Sequence, residues 1–220
     1  MFVFAGERGR FAAMPAAGAS EARTRSPELL RRLIDSAMQL ERRTMQLYCR
    51  FEALFPEPEE LRTFWFEMAQ HESRHFGALA LVAGMLESQP GRTIAAAPLL
   101  RRAHVEEYRD LLARAEDEAA AGLTLTRAFE LTLEIESSEI EDLVLDLLRA
   151  LKGESERERA VQSLSHDLGD LSYMIEKYAG DRILLRRADR IIEQQLARHR
   201  GAADPRGSTS GRPARRKTKG

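Results

Sequence analysis

Glu41, Glu72 and Glu136 each interrupt a helical stripe of otherwise apolar residues, and His75 follows Glu72 by one helical turn. A carboxylate on the buried face of a helix is costly unless something positive compensates it. For several converging carboxylates and an imidazole, the most direct compensation is a metal ion. Oxygen ligands with one nitrogen select hard-to-borderline divalent ions, so iron, manganese and zinc all fit. The three-residue spacing of Glu72 and His75 places carboxylate and imidazole on one helix face, a turn apart. The sequence therefore nominates Glu41, Glu72, His75 and Glu136 as metal ligands.

These residues need long helices to hold them. Ser26-Pro27 starts a first helix, with Ser26 as N-cap, which runs to about Leu54 and stops before Pro56 and Pro58. A second starts near Glu59 and ends by Gln89-Pro90-Gly91. A third spans about Pro98 to Ala121 and is ended by Gly122. The fourth is expected from Thr124 to Lys152, and the fifth from Glu154 to Ala179 with Gly180 as its stop. Asp181 caps a sixth that reaches roughly His199. The apolar seams run Leu30, Ile34, Ala37, Glu41, Thr44, Tyr48, Phe51 in the first helix and Leu61, Trp65, Met68, Glu72, His75, Leu79 in the second. In the fourth the seam runs Phe129, Leu133, Glu136, Ile140, Leu143. Phe51, Trp65, Met68 and Phe129 read as core, and Tyr48 as packing, with a hydrogen bond to a ligand carboxylate as the alternative.

The short link at Phe55–Pro58 makes the first two helices a hairpin, and Gly153 does the same for the fourth and fifth. The stretch between the hairpins is long enough to return along the bundle with the third helix in it. The expected fold is all-α: a ferritin-like antiparallel four-helix bundle with one long crossover containing an extra helix, plus a C-terminal helix. The organisation follows: a mobile leader over 1–25 (Met14 being an alternative start), the bundle over 26–180, an accessory helix over 181–200 and a basic tail over 201–220. The accessory helix either docks on the bundle or pairs two copies of the chain.

Composition fits. Of 220 residues, 34 are basic and 35 acidic, so net charge gives no reason to expect a polyanion partner. The basic tail reads as solvated, with a weak contact to nucleic acid or anionic surfaces as the alternative. At 31% charged, 43% apolar and 6% aromatic the chain reads as helical and soluble. No apolar run approaches the ~20 residues of a membrane span, and Glu7, Arg8 and Arg10 break up any signal-peptide core. Cys49 is the single cysteine, so no internal disulfide is possible and a cytoplasmic setting is the default.

The segments Glu41-x-x-Thr44-x-x-x-Tyr48, Met68–His75 and Ala128–Leu143 resemble the rubrerythrin branch of the ferritin-like superfamily. The resemblance covers about residues 27–180. It implies a carboxylate-bridged diiron site that reacts with hydrogen peroxide or dioxygen, or oxidises ferrous iron. It also implies a second Glu-x-x-His on the fifth helix. There this chain has His166-Asp167-Leu168-Gly169-Asp170. Asp167 and Asp170 keep the spacing but are shorter and lack the histidine; His166 with Asp170 is an i, i+4 alternative. The expected site is therefore asymmetric. A rubredoxin-like centre would need four cysteines, so any redox cycle needs an external electron donor.

Two other readings compete. His71-Glu72-Ser73-Arg74-His75 also spells the zinc-protease signature, with Glu72 as general base. That reading leaves Glu41 and Glu136 unexplained, and no strand stands beside the motif. The other is a non-catalytic helical interaction protein whose buried acids pair with Arg43 or Arg74.

Overall fold

A computed structural model describes residues 27–88, 102–138 and 168–202. The leader, the stretch 139–167 and the tail beyond 202 lie outside the described residues. Every regular element among the described residues is helical: α1 (Pro27–Leu54), α2 (Glu59–Ser88), α3 (Arg102–Ala121), α4 (Leu125–Glu136), α5 (168–179) and α6 (Arg182–Ala202). No helix among them is long and apolar enough to cross a membrane.

The ends of these helices have local causes. Phe55 N–H bonds back to the Phe51 carbonyl, after which Pro56 and Pro58 bar a continued helix. The Pro58 carbonyl then accepts the first donors of α2, Leu61 N–H at 2.9 Å and Arg62 N–H at 3.2 Å. Between α3 and α4, Gly122 adopts φ +87° and Thr124 caps α4 by accepting the Arg127 N–H at 3.2 Å. Gly180, at φ +62°, ends α5 and turns its N–H onto the Ile175 carbonyl. Asp181 then caps α6, its Oδ1 accepting the N–H groups of Ile183 at 2.7 Å and Leu184 at 3.0 Å.

α1 and α2 form the dominant packed pair. α3 lies against α1 and α4, while α4, α5 and α6 contact one another. The joint between the hairpin and α4 is aromatic. The Trp65 ring meets Phe51 edge-on at 5.0 Å between centroids, Phe64 at 4.8 Å, and Phe129 of α4 stacked at 5.4 Å. Bidentate ion pairs fix the third helix. Arg43 of α1 holds Glu116 at 2.8 and 2.9 Å, and Arg127 of α4 holds Glu118 at 2.7 and 3.0 Å. Glu60 accepts from Lys177 and from Tyr178, tying α2 to α5.

Three features differ from the sequence expectation. The apolar stripe predicts one helix from Thr124 to Lys152, yet α4 ends at Glu136, in a turn at Ser137 and Ser138. The two serines supply the reason. Ser137 N–H still reaches the Leu133 carbonyl, but its Oγ donates to the Glu134 carbonyl, and Ser138 N–H bonds three residues back to Ile135. The last turn of α5, Ile175–Ala179, is wound as a π-helix that hydropathy does not mark. α6 extends to Ala202, past the expected end at His199. The third helix is described from Arg102, so its expected start at Pro98 falls outside the described residues.

Gly180→Ala is expected to destabilise the protein by about 1 kcal/mol, measured by urea titration, because a Cβ disfavours the left-handed conformation. A Cβ there would meet nothing within 4 Å, so the loss is one of backbone conformation alone. Asp181→Ala tests the cap through pH. Its N–H donors hold the Asp181 carboxyl below its ordinary range, with Leu184 the largest cause and Ile183 next. A depressed native value means the cap's contribution is complete at neutral pH, declines as pH falls into the ordinary carboxylate range, and is lost below the native value. The stability difference between wild type and Asp181→Ala should therefore shrink on acidification.

Candidate metal centre

The seams of α1 and α2 face each other with few exceptions to burial. On α1, Ile34, Ala37, Glu41, Thr44, Tyr48 and Phe51 are all buried; on α2, Leu61, Trp65, Met68, Glu72, Leu79 and Val82 are buried. Glu41 and Glu72 thus occupy positions that the helix period reserves for the core. They are 0% and 1% exposed. His75, one turn beyond Glu72, keeps 18% of its side chain exposed and forms the solvent-facing edge of the group.

These three side chains converge. One ligand atom from each of Glu41, Glu72 and His75 lies within 4.8 Å of the other two. His75 Nδ1 stands 3.5 Å from Glu72 Oε2 and 3.7 Å from Glu41 Oε2. Both separations are too long for a hydrogen bond and suit atoms arranged around a common point. Glu41 is the most exposing case for the energetics: neither of its carboxylate oxygens accepts a hydrogen bond. A buried charge in that condition costs several kcal/mol. The arginines nearest in sequence do not relieve it, because Arg42 is exposed and Arg43 is engaged by Glu116; Arg74 on α2 is exposed as well.

Glu136 is brought to the same interior from α4 but is held differently. It is 2% exposed, and its Oε1 accepts a 2.7 Å hydrogen bond from the Tyr48 hydroxyl. It stands outside the three-residue group. Burial first, then the charges of Glu136 and Glu72, push the Tyr48 hydroxyl well above the ordinary tyrosine range. Tyr48 therefore remains a proton donor through neutral pH, and its hydroxyl feels both carboxylates.

The remaining nominated residues divide. Asp170 is half-buried on α5 and is not in the group, while Asp167 and His166 lie outside the described residues. His71 is buried, its ring centroid 5.8 Å from that of His75. The residue grouped with His75 is Glu72, where a zinc-protease arrangement would pair the two histidines as ligands. Cys49 is exposed, as expected of a residue off the seam.

One polar contact escaped the sequence reading. Tyr108, on the inner face of α3, places its hydroxyl 2.9 Å from Thr44 Oγ1, which also donates to the Leu40 carbonyl at 3.1 Å. Thr44 lies one turn from Glu41 and one from Tyr48, so α3 delivers a hydroxyl beside the carboxylate layer. The available signal was a tyrosine on an otherwise aliphatic seam.

Comparison of the chain with family models, curated proteins and solved structures finds no match.

Glu41→Leu is expected to raise the stability of the metal-free protein by about 1–3 kcal/mol, because an apolar side chain replaces a buried charge. Urea titration in the presence of a chelator measures it. A loss of stability would mean that an interaction within the protein already compensates Glu41.

Proposed function

We propose that this chain is a non-haem metal protein of the rubrerythrin and ferritin-like type, with Glu41, Glu72 and His75 as its ligands for a divalent ion. The observation that carries this reading is the Glu41 carboxylate, fully buried and without a hydrogen bond, beside a second carboxylate and an imidazole. Two carboxylates and one imidazole, with no thiolate, favour iron or manganese, and zinc also fits the donor set. The fold that goes with the proposal is a four-helix bundle that includes α1, α2, α4 and α5, with α3 in the crossover.

An iron or manganese ion held there would supply electron transfer to peroxide or dioxygen, or iron oxidation would take place there; zinc would supply no redox step. The chain's own residues have separate tasks. Glu41 and Glu72 offset the cation's charge, and His75 adds a neutral nitrogen at the partly exposed edge through which small molecules enter. Tyr48 keeps its proton on the hydrogen bond to Glu136. Phe51, Trp65 and Phe129 exclude water from the side facing the Phe55–Pro58 link. Asp167 and Asp170 are the candidates for a second, weaker position. The single exposed Cys49 cannot act as a cysteine-based electron relay, so the donor is external.

Metal analysis of protein purified from iron-supplemented cells tests the reading. About one tightly held ion per chain is expected, together with a thermal stability that rises with added metal, by roughly 2.7 kcal/mol at a hundredfold excess over Kd. Glu41→Ala and Glu72→Ala should abolish both. Affinity should fall on acidification, since imidazole and carboxylates ligate only when deprotonated. A folded wild type with near-zero metal, and no stabilisation by added metal, would leave the helical interaction protein as the better reading. Metal lost from His71→Ala but retained by Glu41→Ala would favour the zinc protease instead.

A further inference from the structure

We propose that Tyr48 is a positioning residue that withholds Glu136 from the metal, so that the α1–α2 hairpin takes its ion with three protein ligands and Glu136 joins only by giving up the tyrosine. The inference rests on the metal-binding reading above and adds to it an order of ligation.

Two carboxylates in the same interior are held differently. Glu41 makes no hydrogen bond and converges with Glu72 and His75. Glu136 is equally buried, yet its charge is already met by a 2.7 Å bond from Tyr48 and it stands outside the convergent group. Hydrogen bonds to charged groups are short and strong, and this one joins two buried side chains. Tyr48 cannot easily follow Glu136. Its ring is fully buried, with the Trp65 ring 6.2 Å away and the Phe51 ring 6.1 Å away. Glu136 is also the last residue of α4, followed by the turn at Ser137 and Ser138. The side that can move is therefore the glutamate end, and the fixed side is the tyrosine. For Glu136 to ligate, the metal must displace that hydrogen bond, which weakens binding through Glu136 by a factor of about ten to a hundred.

The test is a double-mutant cycle on binding of Co²⁺ to the full chain, followed by titration and by the visible absorption of the bound ion, which reports the number of ligands. Tyr48→Phe removes only the hydroxyl. It should tighten Co²⁺ binding about tenfold or more and alter the Co²⁺ spectrum towards higher coordination. Glu136→Gln should leave wild-type affinity nearly unchanged, and the double variant should bind like Glu136→Gln alone. A merely structural tyrosine would give Tyr48→Phe weaker or equal binding and an unchanged spectrum, and either result overturns the proposal. A wild type that is folded but binds no Co²⁺ overturns the metal reading as well, so the two failures are distinguishable. Should Tyr48→Phe fail to fold, the wild type still decides. Co²⁺ binding should leave the tyrosine band of the ultraviolet difference spectrum unperturbed in the wild type, as in Glu136→Gln, because the bond between Tyr48 and Glu136 stays in place. A perturbation in the wild type that is absent from Glu136→Gln would mean that Glu136 leaves the tyrosine to ligate, and overturns the proposal.

Discussion

A carboxylate with no hydrogen bond cannot sit in the seam between two helices unless the fold around it is rigid enough to keep it there. Glu41 is in that position, and the surrounding structure reads as the means of holding it. Ala37 and Thr44 flank it on α1, and Thr44 is anchored to the Leu40 carbonyl and to Tyr108. The aromatic layer around Trp65 locks α1, α2 and α4 together two turns away. Arg43, the cation that could have swung towards Glu41, is occupied by a bidentate pair to α3. Each of these contacts is ordinary alone. Together they leave the Glu41 carboxylate buried and without a hydrogen bond.

The two ways in which buried acids are tolerated here differ in kind. Glu136 accepts a hydrogen bond from a neutral donor within the protein, whereas Glu41 accepts none. A fold that satisfied every acid internally would be more stable and would have no affinity for a cation. One that satisfied none would bear the full desolvation cost of each. The carboxylate without a hydrogen bond lies on the most extensively packed pair of helices, α1 and α2.

Much of this was legible in the sequence because its signals are local. Proline at positions 27, 56 and 58, glycine at 122 and 180, and Asp181 marked helix ends that the structure reproduces within a few residues. The period of the seams correctly buried Glu41, Glu72 and Glu136. What escaped depends on choices that periodicity does not encode. Ser137 and Ser138 can sit on a helix surface or end one, and hydropathy cannot tell which. Arg43 had several acids within reach of its long side chain, and only the placement of α3 selects Glu116. Tyr48 was visible as a seam residue, but the partner of a hydroxyl is fixed by the neighbouring helix rather than by its own.

The closeness of α1 and α2 along the chain has a kinetic consequence. Glu41, Glu72 and His75 all belong to one helical hairpin, whose helices are joined by only the short 55–58 link. Closing so short a loop costs little entropy, and contacts of low sequence separation form early. The three-residue group is thus assembled by a local folding event that does not await α4. During synthesis this hairpin leaves the ribosome before the rest of the fold, so an ion captured there would act as a folding nucleus as well as a cofactor.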